Sequence, residues 1–216
     1  MRAVKTRHFL QLVLLSALWG ASFLFIRVAS PVLGPNVMAA LRIGLATLTL
    51  VGIMRWAGEP WPWRHWRELL GLGTLTVAAP FLLYAWAALH LPAGYSSLLN
   101  TMAVPFGVIA AAWMKEDTLS TRKWAGCLCG FAGVALIVQL GPVAPTSAVL
   151  LAAGACVTAA ACYGLSLTWM KRATTRMSPL SIAAGIHAAA LVLLLPGAAW
   201  TLPVSYTHLT LPTICS

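Results

Sequence analysis

Charge is what this 216-residue sequence has least of: 8% of its residues are Asp, Glu, Lys or Arg, against about a quarter in an ordinary soluble domain. With 60% hydrophobic residues beside that figure, too little water-facing surface can be built for a soluble globule. Acidic charge is scarcer still, because Glu59, Glu68, Glu116 and Asp117 stand against fourteen Lys and Arg. Metal-ligand spacing is missing as well. None of Cys127, Cys129, Cys156, Cys162 and Cys215 forms a CxxC pair. On a helix, Cys127 and Cys129 would diverge by about 200° and could not share one ion. The first four cysteines read as small packing residues, and neither a metal nor a cofactor is expected. A net charge of +10 would suggest a nucleic-acid partner if it formed one patch. Here it is spread in small clusters, so no such partner is expected.

What the sequence has in abundance is long apolar runs. A membrane span needs roughly 20 mainly apolar residues. Seven segments qualify: residues 9–29, 36–54, 69–89, 93–114, 124–140, 148–170 and 180–200. The first could pass for a secretory signal, but it is long, lacks a clear small-residue cleavage site and precedes further spans, so it reads as an uncleaved helix. Lipid offers no partner to an unpaired backbone, so each span should be helical. The expected fold class is an all-α polytopic transmembrane bundle.

Lys and Arg fix the expected orientation, because cytoplasmic loops retain them. They cluster at Arg2, Lys5 and Arg7, at Arg55, Arg64 and Arg67, at Lys115, Arg122 and Lys123, and at Lys171, Arg172 and Arg176. The intervening loops 30–35, 90–92 and 141–147 hold none. This places the N-terminus in the cytoplasm and leaves Arg27 and Arg42 to be explained otherwise. The stretch Trp61-Pro62-Trp63-Arg64-His65-Trp66 reads as an interfacial anchor between spans rather than a base-stacking surface. Ser120 is a predicted N-cap for the fifth helix.

Sliding the sequence by 144 positions superposes Gly20 on Gly164, Ser22 on Ser166, Arg27 on Lys171, Pro35 on Pro179, and Ala39-Ala40 on Ala183-Ala184, with Trp19 meeting Tyr163. Five spans precede the second copy, so it would enter the membrane from the opposite side. Inverted repeats of this kind build alternating access, with a substrate site near the midplane where the halves meet.

At this point the residues resemble a known group. Leu18-Trp19-Gly20-Ala21-Ser22-Phe23 with Arg27, Ala39-Ala40-Leu41-Arg42, Tyr84-Ala85-Trp86-Ala87-Ala88-Leu89, and Ala93-Gly94-Tyr95-Ser96-Ser97-Leu98-Leu99-Asn100 through Pro105 to Glu116 are similar to EamA-type members of the drug/metabolite transporter superfamily. The fifth span resembles them at Gly126 and from Gly130 to Val134. The resemblance implies ten helices in two inverted five-helix repeats, and export or exchange of small metabolites, amino acids or drugs across the inner membrane of a bacterium. Residues 9–140 would then be the first repeat and 148–202 the first two helices of a truncated second. The tail 204–216 looks like the in-frame translation of a sequencing adapter and is set aside as non-native, with His208 and Cys215.

Ionisable groups inside a membrane are expensive and usually face a cavity, so Arg42, about 9 Å into the second helix, is a candidate for binding an anionic substrate group. Snorkelling to the outer headgroups is the alternative, and it is favoured for Arg27. Trp19 and Tyr163, paired by the repeat, are candidates to line opposite sides of a central cavity. Tyr84, Trp86 and Asn100 are further substrate-binding candidates, Asn100 because an amide in hydrocarbon needs a partner. His187 would be either a proton-exchanging group or a hydrogen-bonded structural residue. No predicted span holds an interior acid, which disfavours an intramembrane carboxylate as proton carrier in these helices. Gly126 and Gly130 form a GxxxG for packing within the monomer or in a homodimer. Pro80 and Pro105 would act as hinges or static kinks. The expected partners are a small-molecule substrate and the lipid bilayer. Two other readings are an inactive fragment of a transporter and an intramembrane serine hydrolase using Ser96 and His187, although Gly94-Tyr95-Ser96-Ser97 lacks the second glycine of a nucleophile motif.

Overall fold

The computed structural model describes residues 6–140, 143–144 and 146–206, and within them the side chains of 6–7, 137–140 and 202–206 are left aside. Arg2, Lys5 and the tail beyond Tyr206, with His208 and Cys215, lie outside the described residues. Every regular element among the described residues is helical, and no strand occurs. The chain runs through α1 (Thr6–Leu33), α2 (Pro35–Trp56), α3 (Trp66–Gly73), α4 (Ala79–Ala87), α5 (Ala93–Asn100), α6 (Ala103–Trp113), α7 (Thr121–Leu140), α8 (Ser147–Ala173) and α9 (Pro179–Tyr206). Among the described residues, six helical stretches are long and apolar enough to cross a membrane: His8–Leu33, Pro35–Trp56, Trp63–Ala87, Ala93–Trp113, Ser147–Ala173 and Pro179–Thr201. The all-α polytopic bundle is thus the fold. The fifth predicted span is also helical, as the 20-residue α7.

The ends and interiors of the spans depart from the hydropathy reading for local reasons. The first predicted loop shrinks to Gly34, whose φ of 77° lies in the left-handed region that glycine enters without penalty. Pro35 then opens α2 with its φ already set for a first turn. In the third span, Pro80 has no N–H and its ring would collide with the carbonyl of Thr76 in a regular helix. The backbone widens into a π-turn over Thr74–Ala78, which separates α3 from α4. Pro105 likewise withholds a donor from Thr101, and a turn at 101–102 separates α5 from α6. The predicted cap is present: Ser120 Oγ accepts from the Lys123 N–H at 3.4 Å. Thr146 does the same for α8 through Val149 N–H at 3.3 Å. Arg27 does not end its helix. It lies within α1 and donates through Nη1 to the Ala88 carbonyl, one of those left without a helical donor at the end of α4.

Helices in lipid are held by van der Waals contact more than by water exclusion, so close approach matters. One core joins α2 to α9 and the third span through Ala39, Ile43, Leu72, Ile186 and Ala190. A second joins α1, α4 and α5 to α8 through Phe23, Tyr84, Leu99, Ala152 and Cys156. The tightest glycine contacts with backbone are at Gly164, where a Cβ would lie 2.6 Å from the backbone nitrogen of Gly107, and at Gly73, where it would lie 2.6 Å from the Ile186 carbonyl. Gly126 has nothing within 4 Å of that position, and Gly130 meets the Pro105 ring at an ordinary 3.8 Å. Cys127 and Cys156 are buried, Cys162 is partly so and Cys129 is exposed, all as free thiols.

The four carboxylates gather at one end of the bundle, and each is engaged. Arg172 Nε donates to Glu116 at 2.6 Å and Lys171 Nζ lies 3.4 Å from the same carboxylate. Arg176 meets Glu68 at 2.7 Å. Glu59 accepts from the hydroxyls of Ser178 and Ser181, and Lys123 meets Asp117 at 2.6 Å. Three of these four acids therefore tie the first helices to the α8–α9 turn. Exposed pairs are individually weak, but here they converge on one hairpin.

Two outcomes follow from this packing. Gly164→Val should lower the thermal midpoint in detergent by the equivalent of about 1–3 kcal/mol of overpacking. Gly20→Ala, at the position 144 residues earlier with nothing within 4 Å, should leave the midpoint unchanged. The Glu116 carboxyl is held below its ordinary 4.5, first by the hydrogen bond from Arg172 and then by the charges of Arg172 and Lys171. A lowered folded value means that its contribution is complete above 4.5 and is lost as pH falls through the folded value. A thermal-unfolding series should show a falling midpoint below that pH, with part of the fall absent in Glu116→Gln.

Candidate functional site

The third span positions the site. By widening ahead of Pro80, it turns Phe81 and Tyr84 of α4 toward α1 and α2. From α1, Leu15, Leu18, Trp19, Ser22, Phe23 and Ile26 face the same space, at the alternating three- and one-residue steps of one helical stripe. Arg42 of α2 and Tyr163 of α8 complete a cavity of about 210 Å³. A second space of about 410 Å³ lies beyond it and shares Trp19, Phe81 and Tyr163 as a common wall. The two are lobes of one site.

The lobes have related linings. Tyr163, Ser166, Leu167, Met170 and Ile186 in the second lobe stand 144 positions after Trp19, Ser22, Phe23, Ile26 and Arg42 in the first. Charge breaks the correspondence, since the place held by Arg42 in one lobe is held by Ile186 in the other.

The Arg42 guanidinium is half-buried, with its Cζ 4.3 Å from the centre of the Phe81 ring. The negative face of the ring stabilises the cation without neutralising it. No carboxylate among the described residues pairs with Arg42. The dividing wall is aromatic. Trp19 meets Tyr163 edge-on at 6.3 Å, Tyr163 stacks on Tyr84 at 6.3 Å, and Tyr84 meets Phe23 edge-on at 5.2 Å. The Tyr84 hydroxyl donates to Asn100 Oδ1 at 2.8 Å, which gives the buried hydroxyl and the half-buried carboxamide a partner. His187 lines the second lobe. Its Nδ1 lies 2.8 Å from the Ala183 carbonyl, so this nitrogen carries the proton and Nε2 is left as an acceptor.

Six of the sequence candidates, Trp19, Arg42, Tyr84, Asn100, Tyr163 and His187, therefore lie around one two-lobed cavity. Trp86 does not. It is partly exposed and packs edge-on against His90 at 5.2 Å. Three residues escaped the sequence reading. Phe81 follows Pro80 directly, and that proline was the signal for a change of facing. Thr76, whose buried hydroxyl has no hydrogen-bond partner among the described residues, is the residue whose carbonyl Pro80 leaves unserved. Ser166 was visible as the counterpart of Ser22 in the repeat.

Membrane-length helices around an apolar cavity with a few convergent polar groups define a polytopic helical membrane protein with a candidate small-molecule site. The chain belongs to the EamA-like transporter family, whose model matches residues 8–139. It is 31% identical over 150 residues to an uncharacterized transporter of Archaeoglobus fulgidus, covering 64% of this chain and 48% of that protein. It is 29% identical over 221 residues to the uncharacterized transporter YvbV of Bacillus subtilis, covering 98% of this chain and 69% of that one. A Streptantibioticus cattleyicolor protein named "Probable terminal-alkyne amino-acid exporter" is 28% identical over 131 residues, covering 60% of this chain and 44% of its own length. The chain thus spans about half the length of two of these relatives and about two thirds of the third.

Tyr84→Phe should keep the ring stack but strand the Asn100 carboxamide, which costs about 1–3 kcal/mol for an unsatisfied buried group. Thermal unfolding of the variant should show that loss, and the double variant Tyr84→Phe with Asn100→Leu should recover part of it.

Proposed function

We propose that the protein moves a small organic anion, with the carboxylate held by Arg42 and an apolar portion laid along the aromatic wall into the second lobe. The observation that carries this reading is a half-buried guanidinium with no carboxylate partner among the described residues, in the lining of a largely apolar, aromatic-walled cavity. Arg binds carboxylates through two parallel N–H donors, so it fixes both the position and the orientation of such a group. Trp19 and Tyr163 stand in the wall between the lobes, where rotation of either ring would open a connection. The five related pairs of lining residues support an inverted repeat with alternating access about this wall. Amino acids and similar metabolites fit the site, and the name of the S. cattleyicolor relative is consistent with export of such a compound. The basic loops support a cytoplasmic N-terminus in the inner membrane of a bacterium.

A hydrolase is not favoured. Ser96 Oγ accepts from the Cys156 thiol at 3.8 Å and His187 Nδ1 bonds to its own helix, so no hydrogen bond joins the two into a dyad. An inactive fragment is a second reading, supported by the share of its relatives that the chain spans. Binding without flux in reconstituted vesicles would distinguish it.

In proteoliposomes, flux of labelled carboxylates should fall about tenfold or more in Arg42→Gln, since a hydrogen bond to a charged group contributes about 1.5–3 kcal/mol. The amide analogue of the same compound should be unaffected. Unchanged carboxylate flux at normal protein levels would remove Arg42 from the site.

A further inference from the structure

On the outer surface of the bundle, two hollows meet at the Trp61-Pro62-Trp63 segment. One is a polar basin of about 480 Å³, bordered by Arg64, His65, Arg176 and the Glu59–Ser178 contact. The other is an apolar groove of about 370 Å³ between α3 and α9, lined by Trp66, Leu69, Leu70, Ala188 and Val192. The two hollows share Trp61, Pro62 and Trp63, so a polar head and an apolar chain could occupy them together.

From this arrangement we infer that the segment and groove form a binding site for one anionic glycerophospholipid, with its phosphate in the basin and an acyl chain along α3 and α9. Sign selectivity comes from the balance of charge. Glu59 keeps its negative charge although two serine hydroxyls bond it, and Glu68 is paired with Arg176, with His65 at 3.6 Å. Arg64 and Arg67 have no carboxylate partner among the described residues, and Arg67 lies with its Cζ 5.3 Å from the Trp66 ring centre, beside the groove. Around the segment three guanidinium groups, Arg64, Arg67 and Arg176, stand against two carboxylates, Glu59 and Glu68, which leaves a balance of one positive charge. Trp63 and Trp66 are 74% and 56% exposed at the level where a span begins, and indoles prefer the headgroup layer. Basic hollows between membrane helices favour acidic headgroups over zwitterionic ones. The site is separate from the cavity of Arg42, so it stands whether or not that cavity moves an anion.

Native mass spectrometry of the delipidated chain in detergent tests this with dioleoyl phosphatidylglycerol, dioleoyl phosphatidylcholine and soluble glycerol phosphate. One equivalent of phosphatidylglycerol should bind in preference to phosphatidylcholine, and glycerol phosphate should not displace it. Each Arg near an anionic lipid contributes about fivefold. Arg64→Gln with Arg67→Gln should therefore lose most of the preference while phosphatidylcholine binding persists, and the double Lys variant should keep it. Ala188→Trp, which fills the groove, should weaken both lipids. Equal binding of the two lipids, a preference that survives the double Gln variant, displacement by glycerol phosphate, or indifference to Ala188→Trp would each overturn the assignment.

Discussion

The structure depends on the cost of leaving a polar group unpaired in hydrocarbon. That cost makes every span a helix and drives the carboxylates to one end, where each finds a cation or a hydroxyl. It also decides where helices may break. The third span widens where Pro80 removes a donor, and the freed backbone lies beside a cavity rather than against lipid. Even Arg27 obeys the rule, since its guanidinium serves a carbonyl at the end of α4.

Arg42 is where the same rule produces a site. A cation could have been balanced by an acid, but the chain's acids are all occupied elsewhere. Its stabilisation comes from a ring face, which lowers the cost of burial without supplying a counter-charge. The aromatic wall from Trp19 to Phe23 then supplies rigid apolar surface next to that charge.

Much of this was legible in the sequence. Helix type follows from apolar runs, six of the seven expected spans recurring as membrane-length helices among the described residues and the fifth as α7, and Arg42, Trp19 and Tyr163 were visible because charge, position and repeat converge on them. The rest turns on side chains that meet across large sequence separations. Nothing local in Tyr84 or Asn100 says that they bond to each other, and Trp86, two residues from Tyr84, had an equal claim until the α4 helix turned it away. The GxxxG of α7 matched a known packing pattern, yet the close approach of one glycine backbone to another is between Gly164 and Gly107, whose pairing depends on how α6 and α8 cross.

The π-turn at Thr74–Ala78 carries a consequence for the third span as a whole. One extra residue in a helical turn rotates everything beyond it by about 100°. Leu69 and Leu72 before the turn pack on α9, while Phe81 and Tyr84 after it face the cavity. Twelve residues of regular helix would set Phe81 about 120° from Leu69, and the slip brings the two to within about 20° of each other. The span therefore keeps one continuous face, along which the α9 contact passes directly into the cavity lining.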